Sequence, residues 1–202
     1  MNRNLLLGGV FAAIAIIAVN MYGNLIDSAT ATDTGAETSS SGEVTIGGAF
    51  SLVNQDGKAF TEKDLLGKYS LVFFGFTNCP DVCPTGLLNI TKTMEILGTD
   101  AEKITPVFIT VDYETDTVEK LKKYLESFHP SIQGLTGSEE QLKVARDSYK
   151  VYAQKVASGG MMGNMFNHSS YTYLMDKEGK YVKHFQYNTS PEEMAKAIKE
   201  YF

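Results

Sequence analysis

The 202-residue chain has no tryptophan, only two cysteines and only three histidines. Two cysteines are too few for a disulfide-stapled scaffold, so the fold must rest on its own apolar core. Positive charge is also short. The 18 Lys and Arg against 24 Asp and Glu leave a net charge of −6, which argues against nucleic acid as a partner. No segment recurs at a fixed period, which removes solenoids and propellers.

What is present centres on the two thiols. Leu71 to Phe76 is an apolar run that reads as a buried strand. It ends in Thr77-Asn78; Cys79 and Cys83 follow four positions apart, each with a proline after it. After Pro84, Leu87, Leu88, Met94, Ile96 and Leu97 recur with helical spacing. A thiol pair between a strand end and a helix start feels the positive end of the helix dipole, which favours the thiolate. A thiolate is both the nucleophile of disulfide exchange and a ligand for soft metals. The competing reading is a structural disulfide or a pair of inert thiols, although closing so short a loop restrains the unfolded chain little.

The chain divides into three parts. In residues 1–22, Leu5 to Val19 is free of polar side chains and Arg3 is the one charge. Leu5 to Tyr22 would span about 27 Å as a helix, close to a bilayer core. This predicts a single transmembrane anchor with Arg3 in the cytoplasm and the remainder of the chain on the extracytoplasmic side, in a periplasm or its equivalent. A cleaved signal peptide is the alternative; Ala29-Thr30-Ala31 has the small-x-small pattern but stands far beyond the apolar run. No cysteine follows the run, so lipid anchoring is not expected. Residues 23–47 are rich in Ser, Thr, Ala, Gly and Asp and read as a flexible polar linker. Residues 48–202 read as the folded domain.

Within it, Asn54-Gln55-Asp56-Gly57 sits between two short strand patterns and predicts a hairpin. Thr61 to Leu66 predicts a short helix before Gly67. Ile104 to Val111 predicts a second buried strand ending at Asp112. Asp116 or Thr117 caps a helix running to about Phe128, and Ser138 with Gln141 forms a capping box for another that reaches Tyr149. Val151 to Val156 alternates as a strand, Ser158 to Asn167 reads as a Gly- and Met-rich loop, and Tyr171–Met175 with Tyr181–Phe185 forms a second hairpin. Ser190-Pro191-Glu192-Glu193 opens the last helix. The predicted class is α/β, a thioredoxin-like plan with an N-terminal β-hairpin extension and inserted elements.

Three segments then resemble one family: Phe76-Thr77-Asn78-Cys79-Pro80-Asp81-Val82-Cys83-Pro84, Val111-Asp112 followed by Asp116-Thr117, and Asn167-His168-Ser169-Ser170 before Tyr173-Leu174-Met175-Asp176. They are similar to the Sco/SenC proteins, membrane-tethered thioredoxin-like copper proteins of cytochrome c oxidase assembly. The resemblance implies copper as the bound metal, with Cys79, Cys83 and His168 as ligands and Cys79 and Cys83 also as a redox-active pair. Two thiolates and an imidazole suit Cu(I) and can hold Cu(II); zinc accepts the same set with a water. The implied role is a metallochaperone, not an enzyme in the turnover sense. Its implied partners are a copper-receiving oxidase subunit, other copper chaperones and the membrane. The alternative function is a thiol–disulfide oxidoreductase, which does not require His168. A thiol peroxidase is disfavoured, because Phe76 stands where its threonine belongs. The chain departs from the family pattern at Asn167, where Asp is usual, at Tyr113, where Pro is usual, and at Thr85-Gly86.

His129 reads as structural and His184 as a solvent-facing strand residue. Asp112 has two readings, a carboxylate that tunes the thiols or one that closes its own loop. Met161, Met162 and Met165 are soft donors close to His168, and serve either as an auxiliary Cu(I) contact or as adaptable apolar filler.

Overall fold

The computed structural model describes residues 45–156 and 164–202. The expected anchor, nearly all of the expected linker, and Met161 and Met162 lie outside the described residues. No helix among the described residues is long and apolar enough to cross a membrane.

A seven-stranded mixed sheet runs in the order β2-β1-β5-β4-β3-β8-β9. Its strands are β1 (Ser51–Asn54), β2 (Ala59–Thr61), β3 (Tyr69–Gly75), β4 (Ile104–Thr110), β5 (Gln133–Thr136), β8 (Tyr171–Met175) and β9 (Tyr181–Gln186). β3, β4 and β5 run parallel, while β1, β8 and β9 pair antiparallel to their neighbours. A separate two-stranded ribbon joins β6 (Ala153–Val156) to β7 (Met165–His168).

Local chemistry explains the elements. Asn54 Oδ1 accepts the N–H groups of Asp56 and Lys58 and so closes the first hairpin. The predicted helix after Thr61 is a 3-10 turn, Glu62–Leu65, where Asp64 accepts from the Thr61 N–H and hydroxyl. Helices α1 (Val82–Leu97), α2 (Val118–Leu125), α3 (Glu139–Ser148) and α4 (Pro191–Lys199) follow the periodic stretches. Thr117, Ser138 and Ser190 cap the last three.

The strand pleat sorts the core. Phe73 and Phe108, partners across β3 and β4, face α1 and Tyr124 of α2. Phe74 points to the opposite face, against Tyr149 at the end of α3. β3 is therefore buried on both sides, as its unbroken apolar run predicts.

Several expectations need correction. The α1 helix begins at Val82, two residues before Pro84; the proline sits in the first turn, where its missing N–H has no helical acceptor to serve. α2 stops at Leu125, short of Phe128. β5 was not expected, because four residues containing a glycine and one large apolar side chain give almost no pattern. Gly134 is required there: a Cβ would lie 2.3 Å from Leu125 Cδ1. Met165 to Asn167, expected in a loop, belong to β7, whose pairing with β6 brings His168 opposite Ala153.

Candidate metal and thiol centre

The chain leaves β3 at Gly75, turns through residues 77–81 and enters α1. Cys79 N–H bonds back to the Phe76 carbonyl at 3.2 Å, which tightens the turn. The Cys79 sulfur then acts as a cap for α1, accepting the Cys83 N–H at 3.4 Å and also the Asp81 N–H. Pro80 and Pro84 carry no N–H, so the few donors at this helix start converge on one sulfur.

The two thiols differ. Cys83 is fully buried and Cys79 half-buried. The Cys83 side chain beside it, and after it the backbone N–H groups of Asp81 and Cys83, bring the Cys79 pKa down to about 5, against the partial burial that opposes it. Cys83 moves the other way. The adjoining Cys79 side chain, its own burial and the Cys79 charge push it far above the usual thiol range. The two shifts run in opposite directions, so the pair favours one shared proton with the negative charge on the less buried Cys79.

β7 delivers the third group. His168 Nε2 stands 3.5 Å from Cys83 Sγ. Nδ1 donates to the Ser169 carbonyl at 2.9 Å, which leaves the Nε2 lone pair facing the thiol. Burial lowers the His168 pKa, so the ring is neutral. Its edge packs on Phe76 at 5.8 Å between ring centres, and Phe166 meets the same ring at 5.4 Å.

These donors suit a soft cation. A sulfur and a nitrogen 3.5 Å apart can share one ion at about 2.3 and 2.0 Å with a near-tetrahedral angle. Among the described residues, no group of three or more His, Cys, Asp or Glu is already gathered as a cage. The Cys83–His168 pair is set, while the Cys79 sulfur is engaged with α1. A cleft of about 360 Å³, lined by Phe76, Cys79, Val82, Phe166 and His168 among others, opens the site to solvent.

Other sequence candidates lie elsewhere. The buried Asp112 carboxylate accepts from Glu114 N, Thr115 N, the Thr115 hydroxyl and Asn164 Nδ2, so it closes its own loop and fastens the start of β7. His129 Nδ1 pairs with Ser131 Oγ and its N–H with Thr91 Oγ1. His184 is exposed on β9, bonded to the Tyr181 hydroxyl. Two site residues escaped the sequence reading. Asp116, read as a helix cap and as part of a family-like segment but given no place in the site, is buried and bonded to Thr77. Gly75 lies against Cys83; a glycine inside an apolar strand signals such a close approach.

The SCO1/SenC family profile matches residues 38–202. The SCO2-like protein of Rickettsia felis is 47% identical over 157 residues, covering 77% of each chain. The structure of Bradyrhizobium japonicum ScoI with copper bound superposes with a TM-score of 0.73 at 44% identity, over 78% of this chain and 99% of that one. BsSco, a member of the Sco family of cytochrome c oxidase assembly proteins in which a disulfide switch is identified, matches at TM-score 0.61 and 26% identity, over 77% of this chain and 92% of its own. The mixed α/β architecture is thus the thioredoxin-like Sco fold, and the chain belongs to the SCO1/SenC family.

Proposed function

We propose that this chain is a membrane-tethered copper metallochaperone that supplies the copper centre of cytochrome c oxidase. Copper is its cargo, held by Cys79, Cys83 and His168. The observation that carries the reading is the 3.5 Å approach of His168 Nε2 to Cys83 Sγ beside the Cys79 thiolate. Binding replaces the Cys83 proton, uses the free Nε2 lone pair and draws the Cys79 sulfur off the α1 N–H groups. Kinship with copper-bound ScoI supports copper over zinc. The apolar segment Leu5 to Val19 is the anchor, and residues 23–47 let the domain reach a copper-receiving oxidase subunit and other copper chaperones on the extracytoplasmic side.

A second activity is supported by the unequal thiols. The half-buried Cys79 thiolate attacks a partner disulfide, forming a mixed disulfide and releasing the partner's other sulfur as thiolate. Cys83 then loses its proton and attacks Cys79, leaving a Cys79–Cys83 disulfide and a reduced partner.

Copper stoichiometry of the purified protein separates these roles. One copper per chain is expected with the cysteines reduced and none after their oxidation. Cys79→Ala, Cys83→Ala and His168→Ala should each lose most of the affinity. His168→Ala binding copper as tightly as the parent would sink the three-ligand site and favour the oxidoreductase.

A further inference from the structure

Asp112 and Asp116 are the two fully buried acidic residues among the described ones. Asp112 is spent on its own loop, but Asp116 reaches across the sequence to the segment just before Cys79. Its Oδ2 accepts the Thr77 N–H at 3.0 Å and the Thr110 hydroxyl at 2.6 Å. Oδ1 accepts the Thr77 hydroxyl at 2.5 Å and faces Lys120 Nζ at 3.4 Å. Lys120 Nζ continues to Asn78 Oδ1 at 2.9 Å and Thr115 Oγ1 at 3.4 Å. The Asp116 carbonyl takes the Thr136 hydroxyl at 2.8 Å, which fixes the residue to β5. Both residues between Phe76 and Cys79 are therefore held, Thr77 by the carboxylate and Asn78 by the lysine.

A buried carboxylate is tolerated only when its lone pairs are filled, and here four donors fill them. Helix capping does not require this burial, because Thr117 caps α2 with its own side chain. We propose that Asp116 is the positioning residue of the thiol pair: through Thr77, and through Lys120 to Asn78, it clamps the turn that carries Cys79 and keeps the two sulfurs adjacent. The inference rests on Cys79 and Cys83 being the working thiols, and not on which metal they hold. A released turn spreads Cys79 over more conformations. The effective concentration of one thiol at the other then falls, and so does the preorganisation available to a metal.

The test compares the parent full-length chain with Asp116→Asn, Thr77→Val and the double variant. Two constants are measured on folded protein: the equilibrium of the Cys79–Cys83 disulfide with glutathione, and Cu(I) affinity in competition with a colorimetric chelator. Asp116→Asn should lower both about tenfold, the size of one charge-assisted hydrogen bond. Thr77→Val should shift both in the same direction by less, and the double variant should fall short of the sum of the singles. Melting midpoints are recorded alongside. A carboxylate that only stabilises the fold would lower the midpoint and leave both constants within about twofold of the parent, and that result overturns the proposal. If Asp116→Asn does not fold, Thr77→Val decides alone, and unchanged constants overturn the clamp. If the parent takes up no copper, the copper reading fails while the glutathione constant still reports on Asp116.

Discussion

Gly75 lies directly against the sulfur of Cys83: a methyl group on Gly75 would stand 2.8 Å from Cys83 Sγ and 2.8 Å from Phe108 Cε2. The last residue of β3 is thus the floor on which the buried thiol rests. Cys83 and Phe108 are both fully buried and have no free space to enter. Gly75→Ala should cost about 1–3 kcal/mol of stability through overpacking. It should also displace the sulfur and weaken copper binding. Urea unfolding and copper titration of the same variant check the two effects; an unchanged copper affinity would show that the site tolerates movement of Cys83.

The unequal thiols predict an unusual pH profile. In the reduced protein free of copper, alkylation by iodoacetamide should modify Cys79 alone at neutral pH, with a rate that rises through about pH 5 and then levels off. An ordinary thiol would rise only through about pH 8.5. The folded pKa of Cys79 is depressed, so its contribution to stability is fully present above the unfolded value and is lost as pH falls toward 5. Cys83, shifted upward, contributes in the opposite sense and loses its part as pH rises. The alkylation rate is therefore a cleaner readout than the melting temperature. By the same logic, copper binding at neutral pH should release about one proton per ion, because only Cys83 must still be deprotonated. Calorimetry in buffers of different ionisation enthalpy counts it, and a count near two would place a proton on Cys79 as well.

Met165 is half-buried in β7 and packs against the core. Met165→Leu keeps the apolar bulk and should cost less than about 1.5 kcal/mol. Cu(I) affinity should stay within about twofold of the parent, the size of change expected where no ligand is removed. The triple replacement of Met161, Met162 and Met165 by Leu extends the comparison to the other two methionines. A slower copper transfer in the triple variant alone would assign the effect to Met161 and Met162.

Topology is checked with intact spheroplasts. Added protease should digest residues 48–202, because Arg3 precedes a single apolar segment. Full protection of the domain would reverse the predicted orientation.

The sequence by itself determined the parts whose physics is local. The run Leu71 to Phe76 reads as a buried strand, and β3 follows it as far as Gly75; the capping box of Ser138 and Gln141 opens α3; and the order of apolar run, thiol pair and periodic stretch puts the thiols between a strand and a helix, although Cys83 lies inside the first turn of α1. Residues paired across long stretches of chain were decided by tertiary structure. β5 has almost no pattern of its own and exists because β4 and β1 offer it edges and α2 leaves room for Gly134. His168 meets Cys83, 85 positions away, because β7 pairs with β6 and Phe166 packs at a tilt against Phe76. Asp112 and Asp116 are alike in sequence, four positions apart at the end of one strand. Packing alone directs one carboxylate into its own loop and the other to Thr77 beneath the thiol turn. Hydrogen-bond partners of a buried charge are chosen by what the fold brings within 3 Å, and one-dimensional spacing carries no record of that choice.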